Sequence, residues 1–142
     1  MPKNKKYIHL TADAIILDKK GEVLLTKRGI TPCKGYWVVP GGHVDYGERV
    51  RAAIVREAKE ETGLKIKLKD FLGIYDDPKR DPRYHTVSVV YTAMIVSGKL
   101  TKTQEATELK FFPLNKLPKN IGFDHRKMVE DYRKMSLRGP RT

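Results

Sequence analysis

Residues 41–63 read GGHVDYGERVRAAIVREAKEETG, and they place Glu57, Glu60 and Glu61 almost side by side in a chain otherwise rich in Lys and Arg. Glycines stand on both sides of an unbroken run: Gly41, Gly42 and Gly47 before it, Gly63 after it. That punctuation predicts a helix over 48–62, stopped by a glycine just past its C-terminus. At 100° per residue, Val50, Ala53, Ile54 and Ala58 fall on one apolar stripe, the side that faces a core. Counted from Val50, Glu61 lies at about 20°, Glu57 at about 340° and Glu60 at about 280°. The carboxylates therefore continue the inward face instead of leaving it. A Glu-rich face that served only solvation would point the other way.

Like charges held inward repel and lose hydration unless something positive sits among them. Arg56 can pair with Glu60 at i+4, but on this reading no local cation shares the face of Glu57 and Glu61. A hard divalent cation meets the need, because Mg²⁺ takes oxygen ligands and completes its shell with water and phosphate. Bare backbone at Pro40-Gly41-Gly42 would let a metal or ligand approach closely, and Gly47 permits a positive φ in the connecting turn. Glu48, at the expected helix start, suits the helix dipole and could tie down the preceding loop.

The 142 residues suit a single domain with a sizeable core. No apolar run approaches a membrane span, and MPKNKKYIHL lacks the apolar centre of a signal peptide, so the expected location is cytoplasmic. Cys33 is the only cysteine, which excludes an internal disulfide and a multi-cysteine zinc site. A formal net charge of +12 suits an anionic partner such as a nucleotide. The basic residues are scattered and not interleaved with aromatics, which argues against a nucleic-acid platform. The most basic run, RKMSLRGPRT at 133–142, is expected to fray.

Along the chain, LTADAIILD and EVLLTKR flank the turn KKG as a hairpin. GITPCKGYW is loop, and WVVP is a short strand ending at a Pro-Gly-Gly breaker. LKIKLKDFLGIY and HTVSVVYTAMIV alternate as strands, the second presenting Val87, Val89, Tyr91, Ala93 and Ile95 on one face. The polar, proline-broken DDPKRDPRY separates them. ELKFFPL is a further strand, and DHRKMVEDYRKM a closing helix with Asp124 as its expected N-cap. Strands mixed with two separated helices make an α/β sandwich, a mixed sheet covered on both faces.

From Gly42 to Leu64 the pattern Gly42, Glu48, Arg56-Glu57, Glu60-Glu61 and Gly63, with Ala58 and Leu64 at the aliphatic positions, resembles the Nudix box at every fixed position. The strand order and ELKFFPLNKLP also look like that family, so the resemblance spans nearly the whole chain. It implies a single Nudix-type α/β/α domain, with short basic tails, that hydrolyses the pyrophosphate of a nucleoside diphosphate linked to another moiety. It also implies Mg²⁺, with Mn²⁺ as an alternative, held mainly by Glu57 and Glu61, with Glu60 assisting and the Gly42 carbonyl as a backbone ligand. Arg56 would orient a carboxylate and Glu48 would brace the loop. Metal neutralises the pyrophosphate and acidifies the attacking water, while a carboxylate takes its proton. Family members often take that base from a loop before the last strand, where Glu105 and Glu108 lie, Glu105 preferred; Glu60 and Glu61 are the alternatives.

YDDPKRDPRYHTVSVVY and GFDHRKMVEDY look like the ADP-ribose pyrophosphatase branch, which has a proline some way past the box; Pro78 and Pro82 straddle that position. ADP-ribose is the expected substrate on this likeness, with Arg28, Arg83 and His85 as contacts for phosphate or ribose. Tyr36, Tyr75 and Phe123 are candidates for stacking on a base. Alternatives are a sanitising nucleoside triphosphate pyrophosphatase, an RNA 5′-pyrophosphohydrolase and a nucleotide-sensing regulator. The last usually carries a DNA-binding domain and tends to lose box carboxylates that this chain keeps. A homodimer is common in the ADP-ribose branch.

Overall fold

The computed structural model describes residues 6–138. Its first hairpin is β1 (His9–Leu17) and β2 (Val23–Arg28). Asp18 sets the turn: its Oδ1 accepts from the backbone N–H of Lys20 and of Glu22, each at 2.9 Å, while Gly21 adopts a φ of 79°. Then follow β3 (Trp37–Val38), β4 (Gly41–His43), α1 (Val50–Thr62), β5 (Leu64–Tyr75), β6 (Thr86–Gly98), β7 (Ala106–Phe112) and α2 (His125–Leu137). The sheet runs β3-β2-β1-β6-β5, with β4 added to β1 and β7 to β2. It is mixed, because β1 pairs parallel with β6 and antiparallel with β2 and β4.

Two cores lie on its two faces. Toward α1, Ala12, Ala14, Ile16, Leu24 and Ala93 meet Ala53, Ile54 and Ala58. Small residues on both sides bring helix and sheet close, so enlarging one would cost about 1–3 kcal/mol. Toward α2, Ile15, Val23, Leu25 and Val90 pack with Met128 and Val129. Both faces of β6 are consequently used. Tyr91, Ala93 and Ile95 turn to α1, while Thr86, Ser88, Val90 and Thr92 are buried on the other side.

Three local expectations need correction. The segment taken as a Pro-Gly-Gly breaker contains β4, whose Gly41 and Gly42 pair with Asp13 and Ala12. Helix α1 begins at Val50 and not at Glu48, because Glu48 closes a turn with Asp45: its N–H donates to the Asp45 carbonyl and its Oε1 accepts the Asp45 N–H. Asp124 occupies the N-cap position of α2 but makes no side-chain cap there. Its carboxylate is instead held by Arg80, at 2.9 Å to Nε and 2.7 Å to Nη2. Helix α2 continues through Leu137 into the run expected to fray, and residues 139–142 of that run, like residues 1–5 of the amino-terminal tail, lie outside the described part.

The topology opens a site. Strands β1 and β2 pair at Leu17 and Val23 beside their turn. Farther along, Thr11–Asp13 pair with β4, and Thr26–Lys27 with β3. The parted strands flank a cavity, with residues 37–43 forming part of its wall.

Candidate active site

This cavity of about 310 Å³ is lined by β1, β2, the β3–β4 segment, α1, the loop before β6, the approach to β7 and the start of α2. Helix α1 contributes Glu57 and Glu61. Gly42 leaves room for the Glu57 carboxylate against bare backbone, since a Cβ there would push that carboxylate aside. Glu61 Oε2 accepts the Gly41 N–H at 3.1 Å. Burial pushes the Glu61 carboxyl up to about 8; the Gly41 bond opposes this, and the charges of Glu57, Asp13 and Glu105 reinforce it. Glu57 is also raised by burial, with Arg56 pulling the other way.

Arg56 is the hub of this wall. Its Nε and Nη2 donate to Glu48 at 2.7 and 2.8 Å, and its Nη1 donates to Glu57 at 2.9 Å and Glu60 at 3.1 Å. A second Nη2 contact reaches the His43 carbonyl at 3.1 Å. The side-chain hydrogen bond from Arg56 holds Glu48 at about 2, well below the usual carboxylate range. The expectation that Glu57 lacks a local cation is therefore corrected. Arg56 reaches it because a long guanidinium spans the helix surface beyond its own angular position.

Of the remaining residues singled out by sequence, Arg28, Arg83 and Glu105 line the cavity. Arg28 Nε donates to the Pro32 carbonyl at 2.6 Å, and its guanidinium lies 5.2 Å from the centre of the Phe123 ring. Arg83 forks onto Asp81 at 3.1 and 2.9 Å. Glu105 is close enough to influence Glu61, whereas Glu108 points to Lys27 on β2 at 3.9 Å. Glu60 is not part of the lining; its side chain is 58% exposed at the rim. His85 is not brought to the cavity either, its Nε2 lying 3.3 Å from the Asp76 carbonyl. Of the aromatic candidates, Tyr75 is buried in the α2-side core with its hydroxyl donating to Asp131 at 2.8 Å. Tyr36 stands outside the lining, and Phe123 is within it, beneath Arg28.

Sequence reasoning missed Asp13, Arg80 and His125, all of which line the cavity. Asp13 sits mid-strand, bonded by the Ser88 hydroxyl, and burial pushes it up to about 7. The one signal was an acid inside the apolar run TADAIIL. Arg80 is only 5% exposed, and besides Asp124 it donates to Thr86 Oγ1 at 2.8 Å.

The residues fit a hard cation. Glu57, Glu61, Glu105 and the Gly42 backbone offer oxygen donors alone, and two of the carboxylates are raised by burial in a way that nearby positive charge would relieve. Among the described residues no three such groups already stand at ligating spacing, since Arg56 draws Glu57 and Gly41 draws Glu61.

Comparison with known proteins agrees with this picture. The family model described as NUDIX domain matches residues 7–132. A Methanocaldococcus jannaschii protein named ADP-ribose pyrophosphatase is 46% identical over 134 residues, 93% of this chain and 78% of its own. A MutT Nudix hydrolase from Burkholderia pseudomallei is 30% identical with a TM-score of 0.77, covering 89% of this chain and 98% of that one. The Nudix domain of Shewanella oneidensis NrtR, solved with ADP-ribose, is 27% identical with a TM-score of 0.78, over 96% and 93% of the two chains. With the box, the sandwich and the carboxylate-lined cavity in place, the chain belongs to the Nudix family of hydrolases.

Proposed function

We propose that the protein hydrolyses ADP-ribose to AMP and ribose 5-phosphate with Mg²⁺ bound at Glu57 and Glu61. The observation that carries this reading is the convergence of Glu57, Glu61 and Glu105 on one cavity with Arg28 and Arg83, in a chain 46% identical to a named ADP-ribose pyrophosphatase. Bound metal would neutralise the pyrophosphate and acidify the attacking water. Gly42 would add its carbonyl, and Glu60, from the rim, would meet water of the metal's shell. Arg56 keeps Glu57 oriented and, through Glu48, fixes the loop before the helix. Glu105 takes the proton of the attacking water. The water oxygen bonds to one phosphorus, the bridging P–O bond breaks, and the departing phosphate keeps the bridging oxygen. Arg28 and Arg83 receive the charge of the pyrophosphate and its flanking groups.

Among the described residues no helix is long and apolar enough to cross a membrane. The same reading places the enzyme in the cytoplasm, acting on a small nucleotide and not on nucleic acid; sedimentation would test the expected homodimer. The deciding experiment is a nucleotide panel with Mg²⁺ and product identification by mass spectrometry. ADP-ribose should give the highest kcat/KM and yield AMP with ribose 5-phosphate. A tenfold preference for 8-oxo-dGTP or another triphosphate would replace this reading with the sanitising one.

A further inference from the structure

His125 opens α2 and is only 6% exposed, yet it lines the cavity. Its Nδ1 accepts the backbone N–H of Val39 at 2.9 Å, so the ring's proton must sit on Nε2. That bond accounts for one nitrogen. Nε2 has no partner within the described protein, and no buried side-chain nitrogen or oxygen among the described residues is left without one. Nε2–H is therefore not sealed in the core, and the residue that carries it lines the cavity. The ring is kept neutral: burial, helped by the charges of Arg80 and Arg28 and opposed by Asp124, takes it down to about 3. Its charged neighbours are those three residues and none of the α1 glutamates, which sets it apart from the metal-binding wall.

We propose that His125 Nε2–H is a specificity-determining donor that bonds an uncharged acceptor atom of the nucleoside or sugar flanking the pyrophosphate. The inference rests on the hydrolytic reading above and deepens it. A neutral donor fixed at its far nitrogen cannot rotate away, flip tautomer or ionise near neutral pH, so it tests for an acceptor at one position. Substrates presenting a donor or an apolar edge there would leave the N–H unpaired, which is the strongest form of rejection a polar site provides. The phosphates, by contrast, have arginines and metal to meet them.

The test uses the whole protein labelled with ¹⁵N in histidine, the His125 ring being assigned through its contact with the Val39 amide. With Mg²⁺ and saturating methylene analogue of ADP-ribose, whose bridge cannot be hydrolysed, the Nε2–H signal should shift downfield. Methylenediphosphonate, which carries only the phosphates, should leave it in place. AMP and ribose 5-phosphate added separately show which moiety supplies the acceptor. In parallel, His125→Asn keeps an oxygen for the Val39 N–H but withdraws the far donor. It should raise KM for ADP-ribose roughly tenfold with kcat within about twofold. An unmoved signal at saturation, or an equal shift with methylenediphosphonate, overturns the inference even if the variant fails to fold. Absence of ADP-ribose hydrolysis by the wild type would overturn the hydrolytic reading instead.

Discussion

Arg56 and Arg80 each hold carboxylates, Arg56 pinning Glu57 in the cavity lining and Arg80 lining it itself, but they recruit them differently. Arg56 takes Glu48, Glu57 and Glu60 from its own stretch of chain and stays 28% exposed. Arg80 reaches across the fold to Asp124 and is 5% exposed. A local network survives small shifts of the sheet, because helix geometry holds its members together. A long-range pair depends on the sandwich being assembled, and in return it ties the loop before β6 to the start of α2. The α1 wall is thus fastened from within one helix and its leading loop, while the Arg80 part of the lining is fastened by tertiary structure.

The sharpest way to separate the walls is to remove charge from each carboxylate in turn. Glu61→Gln should raise the Mg²⁺ concentration for half-maximal activity and also lower the maximal rate. Glu105→Gln should lower the rate at saturating Mg²⁺ by ~10²–10⁴ with metal affinity nearly unchanged. Mg²⁺ titrations of turnover, with circular dichroism to check folding, measure both. Wild-type turnover in Glu105→Gln would pass the role of base to Glu60 or Glu61.

Next in size is Arg80→Met, which leaves the Asp124 carboxylate without its fork. The Arg80 side chain is buried but the carboxylate left behind is 23% exposed, so the cost falls toward the lower end of the range for breaking a buried pair, about 3–5 kcal/mol. The melting temperature should fall by roughly 5–10 °C. Asp124→Asn should be milder, since an amide oxygen still accepts from the guanidinium. A shift of only a degree or two in Arg80→Met would mean that the tie between loop and helix contributes little.

These two networks also show what a sequence discloses. The inward placement of Glu57 and Glu61 followed from helix angle alone, and Arg56 with Glu60 from a four-residue spacing. Most strands and both helices were legible for the same reason, as periodicity and glycine punctuation are local; β4 was not, since it exists only through its pairing with β1. The role of Asp124 was not: its position before a helix suggested a cap, and nothing nearby reveals that Arg80, 44 residues away, claims it. Asp13 and His125 were hidden likewise, one meeting Ser88 and the other Val39 only after the sheet forms. His85, expected as a contact for phosphate or ribose, stands just before β6, outside the cavity lining, with Nε2 3.3 Å from the Asp76 carbonyl.

A pH effect distinguishes the buried carboxylates of the cavity further. Glu61 at about 8 and Asp13 at about 7 are held above their ordinary values by burial. Between about pH 4.5 and 8 the unfolded chain has released protons that the folded, metal-free protein retains. Metal-free stability should therefore fall as pH rises through that window, by several degrees in melting temperature. Mg²⁺ needs ionised ligands, so its affinity should rise over the same range and release protons on binding. Scanning calorimetry with chelator, and titration calorimetry in two buffers of different ionisation enthalpy, would measure these. In Glu61→Gln both trends should be reduced. A flat metal-free profile would show that neither carboxyl retains its proton.

The smallest effect expected is in the local network itself. Arg56→Lys keeps a positive charge but loses the fork that serves Glu48 and Glu57 together, since an ammonium offers a point charge without planar paired donors. The site is partly solvated, so the loss in stability should be about 1 kcal/mol or less, far below that for Arg80→Met. Its consequence should appear in orientation: with Glu57 no longer pinned, the Mg²⁺ concentration for half-maximal activity should rise several-fold at nearly unchanged melting temperature. Glu60→Gln, which removes only the charge of the exposed 3.1 Å partner of the same guanidinium, should change stability by less than about 0.5 kcal/mol. Measuring melting temperature and Mg²⁺ dependence on both variants tests the ranking. If Arg56→Lys destabilises as strongly as Arg80→Met, the local network is as much a structural tie as the long-range one, and the contrast between the walls disappears.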